Sequence, residues 1–424
     1  MITPRENLLR VLRHEMPDWI PIVGHVDNYN QPSREGLPAP LADALEGKPD
    51  WGPTGIIDFC RYLGLDILER TGAPVRSANP AVECETRWEG ELLHTHWRTE
   101  AGELHEVRRR ASAESPFYTV KHALGTPADL APLACVFGGE EFRIDDEATA
   151  AFEERKRLVG DGGVVTVGVP ATPLGNLVRI YAGPQNVAYL DADAPSGLRD
   201  LLAAMEDKYL RHLELCATCG ADAVISYDDT STSTISPRMF GELEVPYINR
   251  AAAICHRHGV HYIHHSCGLL RGLLDLYAQT AMDAVDALCV EPIGDVTMAQ
   301  AREALGRGIT ILASVVQLCL SFDDTDAVAQ HLRDMLVLGA LYAVGFLGVM
   351  GLSALIDGGQ FAQVYLGGAP LTREMAETPA FQGAMWLSMA LYLPLSLLFW
   401  HAPGLVHWHG VPPVKSLFFS IVAC

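Results

Sequence analysis

The distribution of charge is the tightest constraint on this chain. All but two of its 31 basic side chains and all but three of its 52 acidic ones lie in residues 1–334. The last 90 residues hold only Arg373, Lys415, Asp357, Glu374 and Glu377. A shift of that size marks a domain boundary, and a change of solvent is its simplest cause. Met335–Ile356 is 22 residues without a charge. At about 1.5 Å per residue that reaches across a bilayer core of about 30 Å. Phe381–Trp400 is a second uncharged run of 20 residues, with Trp386 and Trp400 suited to interfacial anchoring. The plainer alternative is a buried hairpin of a soluble domain. The pattern predicts an all-α transmembrane tail over 335–424, with spans near 335–356 and 381–400 and a third apolar run from Lys415 that stops short.

Residues 1–334 are strongly acidic, which argues against a nucleic-acid partner. The ten cysteines of the chain are scattered, without the spacing of a secreted disulfide framework. The opening Met1-Ile2-Thr3-Pro4-Arg5-Glu6-Asn7 is too polar for a signal peptide, so this part is expected in the cytoplasm. Thr3, Pro4 and Glu6 form a helix start with a Thr-x-x-Glu capping box. Trp19–Gly24 reads as a first strand, followed by His25 and Asp27 at its C-terminal end. Val82–Val107 alternates around Glu89-Gly90 and Ala101-Gly102, the pattern of an inserted β-meander. From Gly163 onward, short apolar strands alternate with helices, as in parallel βαβ units. Seven strands can be counted. The prediction is an α/β chain with a (β/α)8-type barrel over residues 1–334 that lacks its last strand.

Such barrels keep their chemistry at the C-terminal ends of the strands. Val260–Gly268 reads as a strand that stops at a glycine, and His265 and Cys267 point to one face of it. An imidazole and a thiolate so placed are half of a zinc site; a buried cysteine beside a core histidine is the plainer alternative. Tyr227-Asp228-Asp229 ends another strand. Two carboxylates there suit substrate orientation or proton transfer, and adjacent residues face opposite ways, so one of the two is expected at the mouth. Cys216-Ala217-Thr218-Cys219 closes an amphipathic helix instead of opening one, which disfavours a redox role. No glycine-rich dinucleotide or phosphate loop is present.

Several segments together resemble the uroporphyrinogen decarboxylase superfamily, which includes cobalamin-dependent methyltransferases. They are Arg5–Leu12 with Pro17–Pro21, Gly168-Val169-Pro170 through Gly183, Ser236–Tyr247, and His265-Ser266-Cys267-Gly268. The resemblance covers about residues 1–334 and implies a barrel enzyme. The decarboxylase branch carries an arginine-rich loop after its first strand. Here Gly24–Gln31 has none, so a polycarboxylate would lack bidentate partners. The methyltransferase branch implies zinc on a His-x-Cys pair and a later cysteine, with a corrinoid as methyl donor. His265 and Cys267 match the pair; Cys319 is the weak candidate for the third ligand. Asp228 and Asp229 are candidate catalytic groups, and His25, Asp27 and Tyr227 candidate substrate contacts. The partners implied are a small molecule and a corrinoid protein. Decarboxylation in tetrapyrrole metabolism is the alternative reaction.

Residues 336–424 resemble a family of multi-pass proteobacterial membrane proteins of unknown function, through Asp357-Gly358-Gly359, Pro394-Leu395-Ser396 and Leu417–Ser420. A fusion of two unrelated pieces follows, neither of them whole. A membrane-tethered chimera without catalysis is the expectation from a different class. A cytoplasmic barrel would send Met335–Ile356 outward and bring Phe381–Trp400 back, leaving Lys415 inside.

Overall fold

A computed structural model of the chain describes residues 2–24, 52–110, 112, 115–291, 293–313, 325–409 and 411–423. It divides into two compact units, Met1–Ser314 and Val315–Cys424.

In the first unit the strands are β1 (Ile67–Gly72), β2 (Val75–Ala78), β3 (Glu83–Glu89), β4 (Leu92–Thr99), β5 (Gly102–Arg109), β6 (Tyr118–Lys121), β7 (Glu141–Ile144), β8 (Gly163–Val169), β9 (Ala223–Asp228), β10 (His261–Ser266), β11 (Ala284–Leu288) and β12 (Thr310–Ala313). Six of them form one parallel sheet in the order β1-β8-β9-β10-β11-β12. β3 to β6 form a separate antiparallel meander, and β2 pairs with β7. The meander turns where the glycines stand, with Gly90 at φ 60° between β3 and β4.

The expected strand at Trp19–Gly24 shrinks to a single parallel bridge, Val23 to Asp66. Pro21, within the segment, explains this, since it cannot donate to a ladder. Asp66 holds the segment instead, accepting from Trp19 Nε1 at 3.2 Å and from the Ile22 amide at 3.1 Å.

The parallel sheet is curled and open: among the described residues it has six strands where seven of a barrel lacking its last strand were expected, a half-barrel. Arg70 on β1 and Asp286 on β11 are separated by three strands, yet Arg70 Nη2 lies 3.0 Å from both Asp286 carboxylate oxygens. Four strand steps of about 4.8 Å would place them about 19 Å apart in a flat sheet. Right-handed twist and coiling bring them together.

Period-2 alternation gives this sheet two different faces. Val165, Val167, Val169, Val224, Tyr262 and Val285 face the surrounding helices and join the main core. Ala223, Ile225, Ile263 and Ala284 line the concave face and pack on Leu12 from the helix Pro4–Leu12. That helix plugs the N-terminal end of the sheet. Thr310 Oγ1 donates to the Val11 carbonyl at 2.6 Å, and Arg5 pairs with Asp222. The C-terminal end of the concave face stays polar.

The helical stretch after Ser236 is interrupted. Pro237–Met239 runs into a wider π-type turn, Phe240–Glu244, before Val245–Arg257. Pro246 lacks the amide that would bond to the Glu242 carbonyl, so the turn widens. Glu244 is thereby turned into the core.

The second unit is all helical: Thr325–Asp357, Gln360–Gly367, Arg373–Ala376, Pro379–Trp400, Ala402–His409 and Pro413–Ala423. Two stretches, Arg333–Asp357 and Pro379–Val406, are long and apolar enough to cross a membrane. Only 17% and 11% of their most apolar windows are buried, unlike the core helices of a soluble domain. Leu336, Leu355, Trp386 and Trp400 stand out from them. Tyr342 and Tyr392 share a 2.8 Å hydroxyl contact between the two helices. Gly345 lets them approach; a Cβ there would lie 2.6 Å from Leu395.

Candidate active site

β9, β10 and β11 place Tyr227, His265 and Asp286 in register, so their side chains share the concave face. Arg70 reaches the same layer from β1. His265 Nδ1 is 2.7 Å from Asp286 Oδ2, and Arg70 grips the same carboxylate. Asp286 is buried, and Arg70 and His265 nearly so. The Tyr227 ring lies 5.8 Å from that of His265 and fills the space over β8. Gly168 makes this possible, because a Cβ there would meet the Tyr227 ring at 2.8 Å. Burial raises the Tyr227 hydroxyl pKa, against the pull of Arg70.

Cys267 stands two residues beyond His265, at the mouth. Its Sγ donates to Asp229 Oδ1 at 3.4 Å. Burial, with the nearby Asp229 and Cys289, pushes the thiol up to about 12. The turn after it needs Gly268, at φ 138°, where a Cβ would lie 2.8 Å from both Ser231 Cβ and the Thr230 carbonyl oxygen. Cys289 is half-buried, its thiol donating to the Ala287 carbonyl at 3.4 Å.

The two adjacent carboxylates part company, as strand geometry requires. Asp229 is exposed beside Cys267. Asp228 points to the opposite side of the sheet and is 2% exposed. It accepts from the Thr172 amide at 2.9 Å, from Thr172 Oγ1 at 2.8 Å and from Ser226 Oγ at 2.5 Å. His264 Nδ1 lies 3.5 Å away, in a fully buried ring. Glu244 Oε1 sits 2.8 Å from the same Thr172 hydroxyl. That hydroxyl carries one proton and already accepts from the Gly175 amide, so one carboxyl must itself be protonated. Burial and the Asp228 charge single out Glu244, pushing it up to about 8.

The structure therefore gathers Tyr227, His265, Cys267 and Asp229 at one end of the concave face and sets Asp228 behind it. His25, Asp27 and Cys319 lie outside the described residues. Sequence reasoning missed Arg70 and Asp286. Asp286 had a signal, a lone carboxylate within Ala284-Val285-Asp286-Ala287-Leu288. Arg70 had none, because its partner is 216 residues away.

Residues 155–346 match the model of the uroporphyrinogen decarboxylase (URO-D) family. Among solved structures, a methyltransferase from Methanosarcina mazei is similar at a TM-score of 0.47 and 15% identity, over 73% of this chain and 82% of that one. A probable inner membrane protein of Burkholderia thailandensis is 46% identical over 92 residues, in the tail. That is 21% of this chain and 34% of the relative, so the chain spans about a third of that protein's length. The chain thus joins a segment that matches the uroporphyrinogen decarboxylase family model, and holds the His265–Cys267 strand, to a tail similar to an inner membrane protein.

Proposed function

We propose that the chain is a membrane-tethered enzyme that moves a methyl group from a corrinoid to a small thiol, with zinc held by His265 and Cys267. The observation that carries this reading is the 2.7 Å tie between His265 Nδ1 and Asp286. A carboxylate on one ring nitrogen fixes the tautomer and leaves Nε2 as the lone-pair donor, the usual support of a zinc-ligating histidine. Arg70 in turn fixes the carboxylate. Cys267 offers sulfur on the same face, so the donor set is the nitrogen and thiolate pair that zinc favours. Cys319 is the proposed third ligand. Zinc bound there would lower the pKa of a coordinated thiol and so supply a thiolate nucleophile at neutral pH.

The other residues have roles that follow from their places. Asp229 Oδ1, 3.4 Å from Cys267 Sγ and open to solvent, is set to take the thiol proton when Cys267 becomes a thiolate. Tyr227 walls the concave face beside His265 and is a substrate contact, with His25 and Asp27 proposed as two more. Asp228 is a positioning residue. Its buried hydrogen bonds hold the end of β9 and, with it, Asp229. Arg70 holds both Asp286 oxygens through Nη2 and so keeps that carboxylate turned toward His265.

The test is methyl transfer from methylcobalamin to 2-mercaptoethanol by the zinc-supplied full chain in detergent. Transfer that is lost in Cys267→Ser and reduced about 10–100-fold in Asp286→Asn supports the reading. Corrinoid binding with no turnover in the parent chain would instead make it a tethered binding module.

A further inference from the structure

We propose that the antiparallel meander carries a separate metal site, in which His94, His96 and His105 bind a divalent transition-metal ion such as zinc. Their ligand atoms lie within 4.8 Å of one another, the one such trio among the described residues. The sheet register builds it. His94 and His96 are two apart on β4 and share a face; His105 on β5 pairs directly with His96. The three rings stack, with His105 between the other two, at centroid separations of 5.3 and 4.1 Å. His94 Nδ1 and His105 Nε2 are already 3.0 Å apart. Tetrahedral zinc with nitrogens at about 2.05 Å needs them about 3.3 Å apart, and the lone pairs lie in the ring planes, so His96 must turn out of its stack on His105 for all three to converge on one ion.

Two neighbours sharpen the assignment. His94 Nε2, the nitrogen turned away from the cluster, is buried and makes no hydrogen bond. The Glu89 carboxylate stands 3.7 Å from it. A metal on His94 Nδ1 would place a proton on Nε2 and draw Glu89 in, the carboxylate–histidine–metal arrangement. Lys121 Nζ lies 3.2 Å from His105 Nδ1, and its side chain is exposed. Its ammonium can only donate, so in the metal-free form His105 Nε2 carries the ring proton and donates to His94. Metal capture displaces that proton and sends Lys121 out to solvent. Three imidazoles without sulfur or an internal carboxylate suit zinc, copper(II) or nickel(II), and leave a position open to water or a further ligand.

The site is independent of the His265–Cys267 proposal, and zinc titration of the untagged full chain in detergent against a chromophoric chelator separates the two. Cys267→Ser is expected to keep one equivalent of zinc. Adding His96→Ala to it is expected to weaken that equivalent at least tenfold. His96 is exposed, so its loss removes its ring contact with His105 and no buried packing. His105→Gln, of similar size, should act alike. With cobalt(II) the Cys267→Ser chain should show ligand-field bands without sulfur-to-metal charge transfer. Zinc binding by Cys267→Ser that neither histidine variant changes would overturn the proposal, as would an absence of zinc from Cys267→Ser itself.

Discussion

Replacing Asp286 by Asn tests the central geometric claim, that the curl of the sheet is held by a side-chain bridge from β1 to β11. Asn keeps the shape and removes the charge. Arg70 Nη2 then loses both charged acceptors at 3.0 Å, and His265 Nδ1 loses its charged partner at 2.7 Å. Arg70 and Asp286 are 19% and 6% exposed, so water compensates little. Breaking one side of such a buried pair costs about 3–5 kcal/mol; the surviving amide acceptor recovers part, leaving about 2–3 kcal/mol. The paired variant sharpens the test. Arg70→Met removes the stranded cation, so Arg70→Met/Asp286→Asn is expected to cost less than the two single changes added, with a coupling of at least about 1 kcal/mol. Urea unfolding of the detergent-solubilised full chain, followed by amide exchange in the β1 and β11 peptides, measures both. Additive costs, or an Asp286→Asn penalty below about 0.5 kcal/mol, would show that the bridge does not hold the sheet.

Gly168→Ala would put a Cβ 2.8 Å from the Tyr227 ring, and a cost of about 1–3 kcal/mol in the same unfolding assay is expected, relieved by Tyr227→Leu. Glu244 makes stability depend on pH. Its folded pKa is raised by burial and by Asp228, so the native chain holds a proton that the unfolded chain releases. Stability is therefore fully present below the ordinary carboxylate pKa and falls as pH rises toward about 8, by up to about 1.4 kcal/mol per pH unit. Asp228 and His264 are the other buried titratable groups there, the His264 pKa lowered by burial, with Tyr209, Tyr247, Tyr262 and Tyr277 around them. Glu244→Gln should flatten this slope, and an unchanged slope between pH 5 and pH 8 in the urea midpoints, on the order of the ordinary and raised values, would count against a protonated Glu244. Finally, the full chain should stay with the membrane fraction through an alkaline wash, whereas a chain stopped after Asp334 should not; full chain recovered soluble and monodisperse would refute the spans.

Much of this architecture was legible because it is local. Gly163–Val169, Ala223–Asp228 and His261–Ser266 are short apolar runs with clear borders, and they are strands. The meander was announced by alternation and by glycines at its turns. The pairing of His265 with Cys267 on one face needs only the period of a strand. What the sequence hid is what depends on distant partners. The first strand shrank to one bridge because Pro21 within it outweighed its apolar content. The Arg70–Asp286 bridge could not be foreseen, since nothing in Ile67–Gly72 records how far a sheet will curl. The histidine trio needed the β4–β5 register, which turns the spacing of His94, His96 and His105 into a cluster.

Asp228 and Asp229 show why a motif read from adjacency divides once it is folded. Strand geometry sends one carboxylate to each side of the sheet, and the two sides are different solvents. On the concave side Asp229 stays hydrated and meets a thiol. On the helix side Asp228 is saturated by the donors of Thr172 and Ser226. Its charge then holds the Glu244 proton in place, and Glu244 is there because Pro246 widened the preceding turn. The buried carboxylates thus form a structural unit that fixes the end of β9. The exposed one inherits a defined position next to Cys267, which is the precision that the proposed proton transfer at that sulfur would require.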